Sequence, residues 1–103
     1  MKILIIEDDT GLNSGIRFAL EQEGYETLGA GTFQEGYTLF ERERPDAVIL
    51  DLNLPDGDGI SLCQKIRSLP GAGEKCAVVM LTARDLETDE IMGLTSGADD
   101  YIT

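Results

Sequence analysis

Blocks of consecutive apolar residues alternate with helix-like patterns along the whole chain. Residues 3–6 are rich in β-branched side chains and fit a parallel strand buried on both faces. The run at 47–50, which ends at Asp51, and the run at 76–81 have the same character. Residues 25–30 are more polar and are predicted to form an edge strand, while Tyr101 lies at the start of a last strand.

Four helices are predicted between these strands. The first follows a cap at Thr10 and stops at Gly24. The second opens with a capping box made by Thr32 and Glu35. The fourth, at 85–96, has few large apolar residues and low helix propensity. The predicted buried stripes are Leu12, Ile16, Ala19 and Leu20 in the first helix, Phe33, Tyr37 and Phe40 in the second, and Ile60, Cys63, Ile66 and Leu69 in the third.

This alternation predicts an α/β, doubly wound fold built on a parallel sheet. The most apolar strands are the first, third and fourth, and these should be central. The flavodoxin-like strand order 2-1-3-4-5 satisfies that requirement, and it makes the first and third strands neighbours. Their carboxyl ends then meet at the topological switch point, where open α/β sheets bind their ligands.

Acidic residues follow the two strands that meet there. Glu7, Asp8 and Asp9 end the first strand, and Asp51 ends the third. A single aspartate in such a place is more commonly a turn or capping residue, but clustered carboxylates repel one another unless a cation is present. Hard oxygen ligands with room for water suit Mg²⁺. Thr82, after the fourth strand, should add a hydroxyl group to the same site.

Composition narrows the possible functions. The 103 residues include 20 acidic and 8 basic side chains, a net charge of −12 that repels the phosphates of nucleic acids. Three explanations of the acidic excess remain: a cation site, a surface for a basic partner, or general solubility. There is no histidine and no CxxC pair, which argues against zinc, so Cys63 and Cys76 are expected to be buried thiols in a reducing compartment. No apolar run is long enough for a signal peptide or a membrane span, so a cytoplasmic protein without a membrane partner is expected.

The motifs at the strand ends resemble those of the receiver domain of two-component response regulators, the CheY-like superfamily. The motifs are Glu7-Asp8, Asp51, the LPDGDG run at 54–59, Leu81-Thr82-Ala83 and the GADDYIT run at 97–103. Each is weak alone, but together and in this order they cover essentially the whole chain. The last one is most similar to the OmpR/PhoB-type winged-helix transcription regulators.

The resemblance implies a phosphorylation-controlled switch. Asp51 would accept a phosphoryl group from the phosphohistidine of a sensor histidine kinase, Thr82 would bind a phosphate oxygen, and Tyr101 would be the switch aromatic. The implied Mg²⁺ ligands are Glu7, Asp8, Asp51 and the backbone carbonyl of Asn53. Asp9, one residue past the acid pair, is a weaker candidate.

The family pattern continues beyond Thr103 with a lysine, usually a proline, and a fifth helix. We therefore expect residues 1–103 to be a receiver domain truncated at its C-terminal end, with the fifth helix missing. Apolar surface near the first helix should then be uncovered, and the chain should dimerise through its fourth-helix and fifth-strand side. The family uses the same side for phosphorylation-driven dimers, and DNA would be bound only through an output domain outside this chain.

Two alternatives differ in their chemistry. An aspartate-nucleophile phosphatase of the haloacid dehalogenase type needs a second aspartate two residues after its nucleophile, where this chain has Asn53, which cannot transfer a proton. A pseudo-receiver that takes no phosphate usually lacks an acid or the acceptor, and all of them are present here. A signalling domain that catalyses only its own phosphorylation and dephosphorylation is therefore favoured over an enzyme.

Overall fold

The computed structural model describes residues 1–71, 76–81 and 100–102. For Leu81 and for residues 100–102 it describes the backbone alone. The elements, in chain order, are β1 (Lys2–Ile6), α1 (Thr10–Gln22), β2 (Glu26–Ala30), α2 (Phe33–Glu43), β3 (Ala47–Asp51), β4 (Asn53–Leu54), β5 (Gly57–Asp58), α3 (Gly59–Arg67), β6 (Ala77–Leu81) and β7 (Asp100–Ile102). The fourth helix predicted at 85–96 lies outside the described residues.

Five parallel strands form one sheet in the order β2-β1-β3-β6-β7. The two-residue strands β4 and β5 pair separately as a small antiparallel hairpin. Counted without that hairpin, the order is 2-1-3-4-5, so the predicted doubly wound α/β fold is confirmed. The predicted edge position of β2 and the central positions of β1, β3 and β6 are correct as well.

One face of the sheet is closed by α2 and α3. Alternate strand residues such as Leu4, Val48 and Met80 pack there against Phe40 and Ile66, and all five are fully buried. Both cysteines are buried, as predicted: Cys63 in α3, and Cys76 just before β6. Leu62, which the predicted stripe of this helix omitted, is fully buried beside them. This face supplies one continuous core.

The opposite face is covered less completely. Strand β1 is buried on both faces, since Ile3 and Ile5 on this side are as inaccessible as their neighbours. In β3 and β6, however, Ile49 and Val79 are only half-buried. The prediction of burial on both faces is therefore correct for β1 and wrong for β3 and β6. The reason is that α1 packs mainly against β1 and β2, at the β2 edge of the sheet, and leaves β3 and β6 less covered on this face.

The N-terminal helix also differs from its prediction. Asp9, and not Thr10, is the N-cap of α1, because its Oδ1 accepts the hydrogen bond from Leu12 N at 3.0 Å. The predicted stripe is wrong in part: Ala19 is exposed, as is Leu12 at 47 %. The position turned toward the sheet is instead Asn13, which is 6 % exposed.

Other helix ends agree with the local signals. The Oγ1 of Thr32 accepts a hydrogen bond from Glu35 N at 3.0 Å and caps α2 as predicted. Gly24 has a positive φ of 93° just after α1, which glycine adopts without strain. No helix in the described part of the chain is long and apolar enough to cross a membrane.

Candidate functional site: a carboxylate cluster at the switch point

The sheet register brings two acids together. Strands β1 and β3 pair in parallel up to Ile6 and Leu50, so the next residues, Glu7 and Asp51, emerge side by side. One carboxylate oxygen from each of Glu7, Asp8 and Asp51 lies within 4.8 Å of the others. The predicted meeting of these acids at the carboxyl end of the sheet is therefore what the structure shows, while their roles stay predictions.

Glu7 is the most deeply placed of the three. It is 5 % exposed, and among the described residues its Oε2 has no hydrogen-bond partner. Burial raises the pKa of Glu7 most, and the adjacent Asp51 carboxylate raises it further, because it repels an ionised Glu7 and accepts a hydrogen bond only from a protonated one. The pKa reaches about 8, against a smaller lowering by the Asp9 backbone N–H. Without a cation, the site is thus most stable when Glu7 keeps its proton.

A buried amide holds the backbone behind Glu7. The Nδ2 of Asn13 donates to the backbone oxygens of Glu7 and Ala30 at 3.0 Å each and of Ile5 at 3.3 Å. The Nε of Arg17 donates to the Asn13 Oδ1 at 2.9 Å, which fixes the orientation of the amide. Asn13 was not among the predicted site residues, because nothing in its local pattern distinguishes a buried asparagine from one exposed on a polar helix face.

The other half of the site is the short hairpin after Asp51. The backbone N–H of Asn53 donates to Asp51 Oδ1 at 3.2 Å, so the hairpin contacts the carboxylate directly. At its base, the Gly59 N–H donates to Leu52 O at 2.9 Å. A Cβ on Gly59 would lie 2.2 Å from Asp51 O, so only glycine permits this close approach of two backbones.

The remaining predicted residues are placed only in part. Thr82 lies outside the described residues. Tyr101 is in β7, where its backbone pairs with Met80, one position before the end of the strand. Asp9 caps α1 and donates its backbone N–H to Glu7 Oε1 at 3.3 Å.

A cavity of about 270 Å³ opens beside Glu7, between α1 and the end of β2. Its lining residues are Glu7, Thr10, Asn13, Ser14, Arg17, Gly29, Ala30 and Gly31. Of the three clustered acids, Glu7 lines this cavity, and Asp8 and Asp51 do not.

The donor set of the cluster fits a divalent cation. Three carboxylates supply hard oxygen ligands, and Asp8 is exposed while Asp51 is half-buried, which leaves room for water ligands of Mg²⁺. The Oε2 of Glu7 is a buried oxygen with no partner among the described residues, and a cation would satisfy it. A dication would also reverse the pKa shift of Glu7, because it favours the ionised form.

Comparisons with known proteins agree with this geometry. The family model "Response regulator receiver domain" matches residues 3–103. The chain is 40 % identical over 103 residues to the transcriptional regulatory protein YclJ of Bacillus subtilis, covering 100 % of this chain and 44 % of YclJ. It is 41 % identical over 101 residues to the sensory transduction protein RegX3 of Mycolicibacterium smegmatis, covering 98 % and 42 % respectively.

Solved structures give the same result. The chain superposes on the BeF3-activated N-terminal receiver domain of RstA from Klebsiella pneumoniae with a TM-score of 0.89 and 32 % identity, covering 99 % of this chain and 84 % of that one. The chain spans less than half the length of the curated relatives named above. The strand order, the carboxylate cluster and these matches lead to one conclusion: the chain belongs to the response regulator receiver domain family.

Proposed function

We propose that this chain is a phosphorylation-controlled switch in which Asp51 accepts a phosphoryl group from the phosphohistidine of a sensor histidine kinase. The observation that carries the proposal is the cluster itself, with oxygens of Glu7, Asp8 and Asp51 within 4.8 Å and the Glu7 Oε2 lacking a partner among the described residues. Of the three acids, Asp51 combines partial exposure with a position at the strand tip.

In the transfer, an oxygen of the Asp51 carboxylate attacks phosphorus while the bond from phosphorus to the histidine nitrogen breaks. The residues that would hold Mg²⁺ are Glu7, Asp8, Asp51 and, through its backbone carbonyl, Asn53. When bound, the ion supplies charge stabilisation to the phosphoryl oxygens. The Asn53 backbone N–H already contacts Asp51 Oδ1, so the chain itself orients the accepting carboxylate. No turnover of a separate substrate is proposed.

Thr82 and Tyr101 complete the proposal as the groups that report phosphorylation. The hydroxyl group of Thr82 would bind a phosphoryl oxygen, and Tyr101 would follow it as the switch aromatic. The outcome would be a change of the fourth-helix and fifth-strand surface and a dimer through that side. Binding to DNA would belong to an output domain of a longer protein, and the relative YclJ is named a transcriptional regulatory protein.

The phosphoacceptor is tested by intact-protein mass spectrometry after incubation with Mg²⁺ and acetyl phosphate. We expect the wild-type protein to gain one phosphoryl group and Asp51→Asn to gain none. Asp46→Asn is a matched control, because Asp46 immediately precedes the same strand, at its opposite end. There its Oδ2 accepts a hydrogen bond from Lys2 N. Equal labelling of Asp51→Asn and wild type would refute the assignment.

The metal site is tested by thermal melting with and without millimolar Mg²⁺. Crowded carboxylates destabilise the metal-free fold, and an ion bound only by the folded state raises the melting temperature. Asp8→Ala should lose most of that rise. A rise of the same size in Asp8→Ala would place the ion elsewhere.

A further inference from the structure

The hairpin β4–β5 is joined to the start of α2 by one side chain. The carboxylate of Asp56, at the tip of the hairpin, accepts hydrogen bonds from the backbone N–H groups of Phe33 at 2.6 Å and Gln34 at 3.1 Å. These donors belong to the first turn of α2, whose N–H groups have no partner within the helix. A Cβ on Gly57 would lie 2.6 Å from Phe33 Cδ2, so the tip and the helix are in close contact.

These two elements belong to opposite halves of the carboxylate cluster. The connection that enters α2 follows Ala30, whose backbone oxygen accepts a hydrogen bond from the backbone N–H of Glu7 at 2.9 Å. The hairpin carries Asn53, whose backbone N–H bonds Asp51 Oδ1. Asp56 therefore links the Glu7 half to the Asp51 half by a route outside the cluster.

We propose that Asp56 is a positioning residue of the metal site, which holds the Asn53 backbone in place beside the Asp51 carboxylate. This inference rests on the proposed function, because the Mg²⁺ site is itself proposed. Without the Asp56 bonds, the tip of the hairpin is free to move away from α2. The Asn53 backbone then moves with it, so the site loses the preformed position of the Asn53 carbonyl and the N–H contact that orients the Asp51 carboxylate.

The charge of Asp56 suits this task. Its carboxylate complements the partial positive charge at the N-terminus of α2. Burial raises the pKa of Asp56, but hydrogen bonds from backbone N–H groups, chiefly those of Gln34 and Phe33, lower it by more. The carboxylate is therefore ionised at neutral pH.

The hairpin also contains a matched control. Asp58 is likewise exposed and likewise accepts hydrogen bonds at the start of a helix, since it is the N-cap of α3: its Oδ1 accepts from Ser61 N at 2.7 Å and its Oδ2 from Ser61 Oγ at 3.0 Å. Those bonds are local to α3 and join no separate part of the fold. Asp56 and Asp58 thus differ in whether their bonds cross from one half of the site to the other.

The test is calorimetric titration of MgCl₂ into the wild-type protein, Asp56→Ala and Asp58→Ala. Each variant loses a carboxylate that accepts hydrogen bonds from the first turn of a helix, so their melting temperatures should fall by similar amounts. Only Asp56→Ala should weaken Mg²⁺ binding, with a dissociation constant about tenfold higher. Asp56→Asn keeps one oxygen acceptor and should recover part of the affinity.

Equal Mg²⁺ affinities in Asp56→Ala and Asp58→Ala would overturn the inference, whether both are weakened or neither is. If Asp56→Ala does not fold, Asp56→Asn decides, and an unchanged affinity in that variant counts against the proposal. Failure of the proposed function has a different signature. Glu7→Gln would then bind Mg²⁺ as the wild type does, the ion would lie elsewhere, and the role of Asp56 would fall with it.

Discussion

The two faces of the sheet differ in how completely their side chains are buried. On the face covered by α2 and α3, Phe40 is completely buried. On the face covered by α1, Phe18 is 64 % exposed, and Ile49 and Val79 are half-buried. Two phenylalanines on helices of one small domain thus have opposite environments. The comparison teaches that the described core is concentrated on one face, while the α1 face keeps more apolar surface accessible.

The strongest test of this comparison is to truncate each phenylalanine ring in turn, beginning with Phe40. Phe40→Ala removes a fully buried ring and should lower the free energy of unfolding by about 3–5 kcal/mol, since it leaves a cavity in the core. Urea unfolding followed by circular dichroism measures this change. A loss under about 1 kcal/mol would show that the α2–α3 face is not the main core.

The contrast extends to the acids at the site, because Glu7 directly follows β1, which is buried on both faces. Its folded-state pKa of about 8 lies above the usual 4.5, so between these values the folded protein binds more protons than the unfolded chain. The free energy of unfolding should therefore fall as pH rises, by on the order of 2–3 kcal/mol from about pH 5 to about pH 8 in EDTA.

Two comparisons isolate the contribution of Glu7 to that slope. Glu7→Gln should remove it, and millimolar Mg²⁺ should reduce it, because a dication favours the carboxylate. The lowered pKa values of Glu43 and Asp56 place their titration below this range. A slope that persists in Glu7→Gln would assign it to another group.

Two helical glycines provide a test with opposite signs. A Cβ on Gly36, in α2, would lie 2.6 Å from Ile6 Cδ1 in the closed core, so Gly36→Ala should cost about 1–3 kcal/mol through overpacking. A Cβ on Gly15, in α1, would meet no atom within 4 Å, so Gly15→Ala should stabilise the protein by about 0.5–1 kcal/mol. Thermal melts of both variants measure the difference, and equal effects would contradict the contrast between the faces.

The smallest expected effect is that of Phe18→Ala. An exposed ring makes few contacts, so the free energy of unfolding should change by less than about 0.5 kcal/mol. Light scattering on the same samples should show less self-association in the variant. A loss above about 2 kcal/mol would mean that the α1 face is packed in solution.

Much of the fold was predictable because its signals are local. Runs of β-branched residues define the central strands, and the pair Thr32 and Glu35 marks the start of α2. The cap of α1 was not predicted correctly, because Asp9 and Thr10 are adjacent and both residue types favour the N-cap position. The hydrogen bond to Leu12 N identifies Asp9 as the cap. The buried side of α1 was predicted wrongly, because the residue that faces the sheet is Asn13. Its side-chain amide bonds three backbone carbonyl groups, and no apolar stripe marks that side.

The candidate site divides in the same way. Its acids were predictable, since each directly follows an apolar strand and the strand order brings Glu7, Asp8 and Asp51 together. The tether through Asp56 was not, because its bonds join residues separated by 22 and 23 positions and leave no periodic pattern in the sequence.

The account depends most on the identity of the residue that takes the phosphoryl group. The direct measurement is to phosphorylate the protein with acetyl phosphate and Mg²⁺, reduce the acyl phosphate with borohydride, and sequence the peptides by tandem mass spectrometry. Reduction converts a phosphorylated aspartate into homoserine, which marks its position permanently. We predict homoserine at position 51 and nowhere else. Homoserine at Asp8 or Asp56, with Asp51 unmodified, would contradict the account.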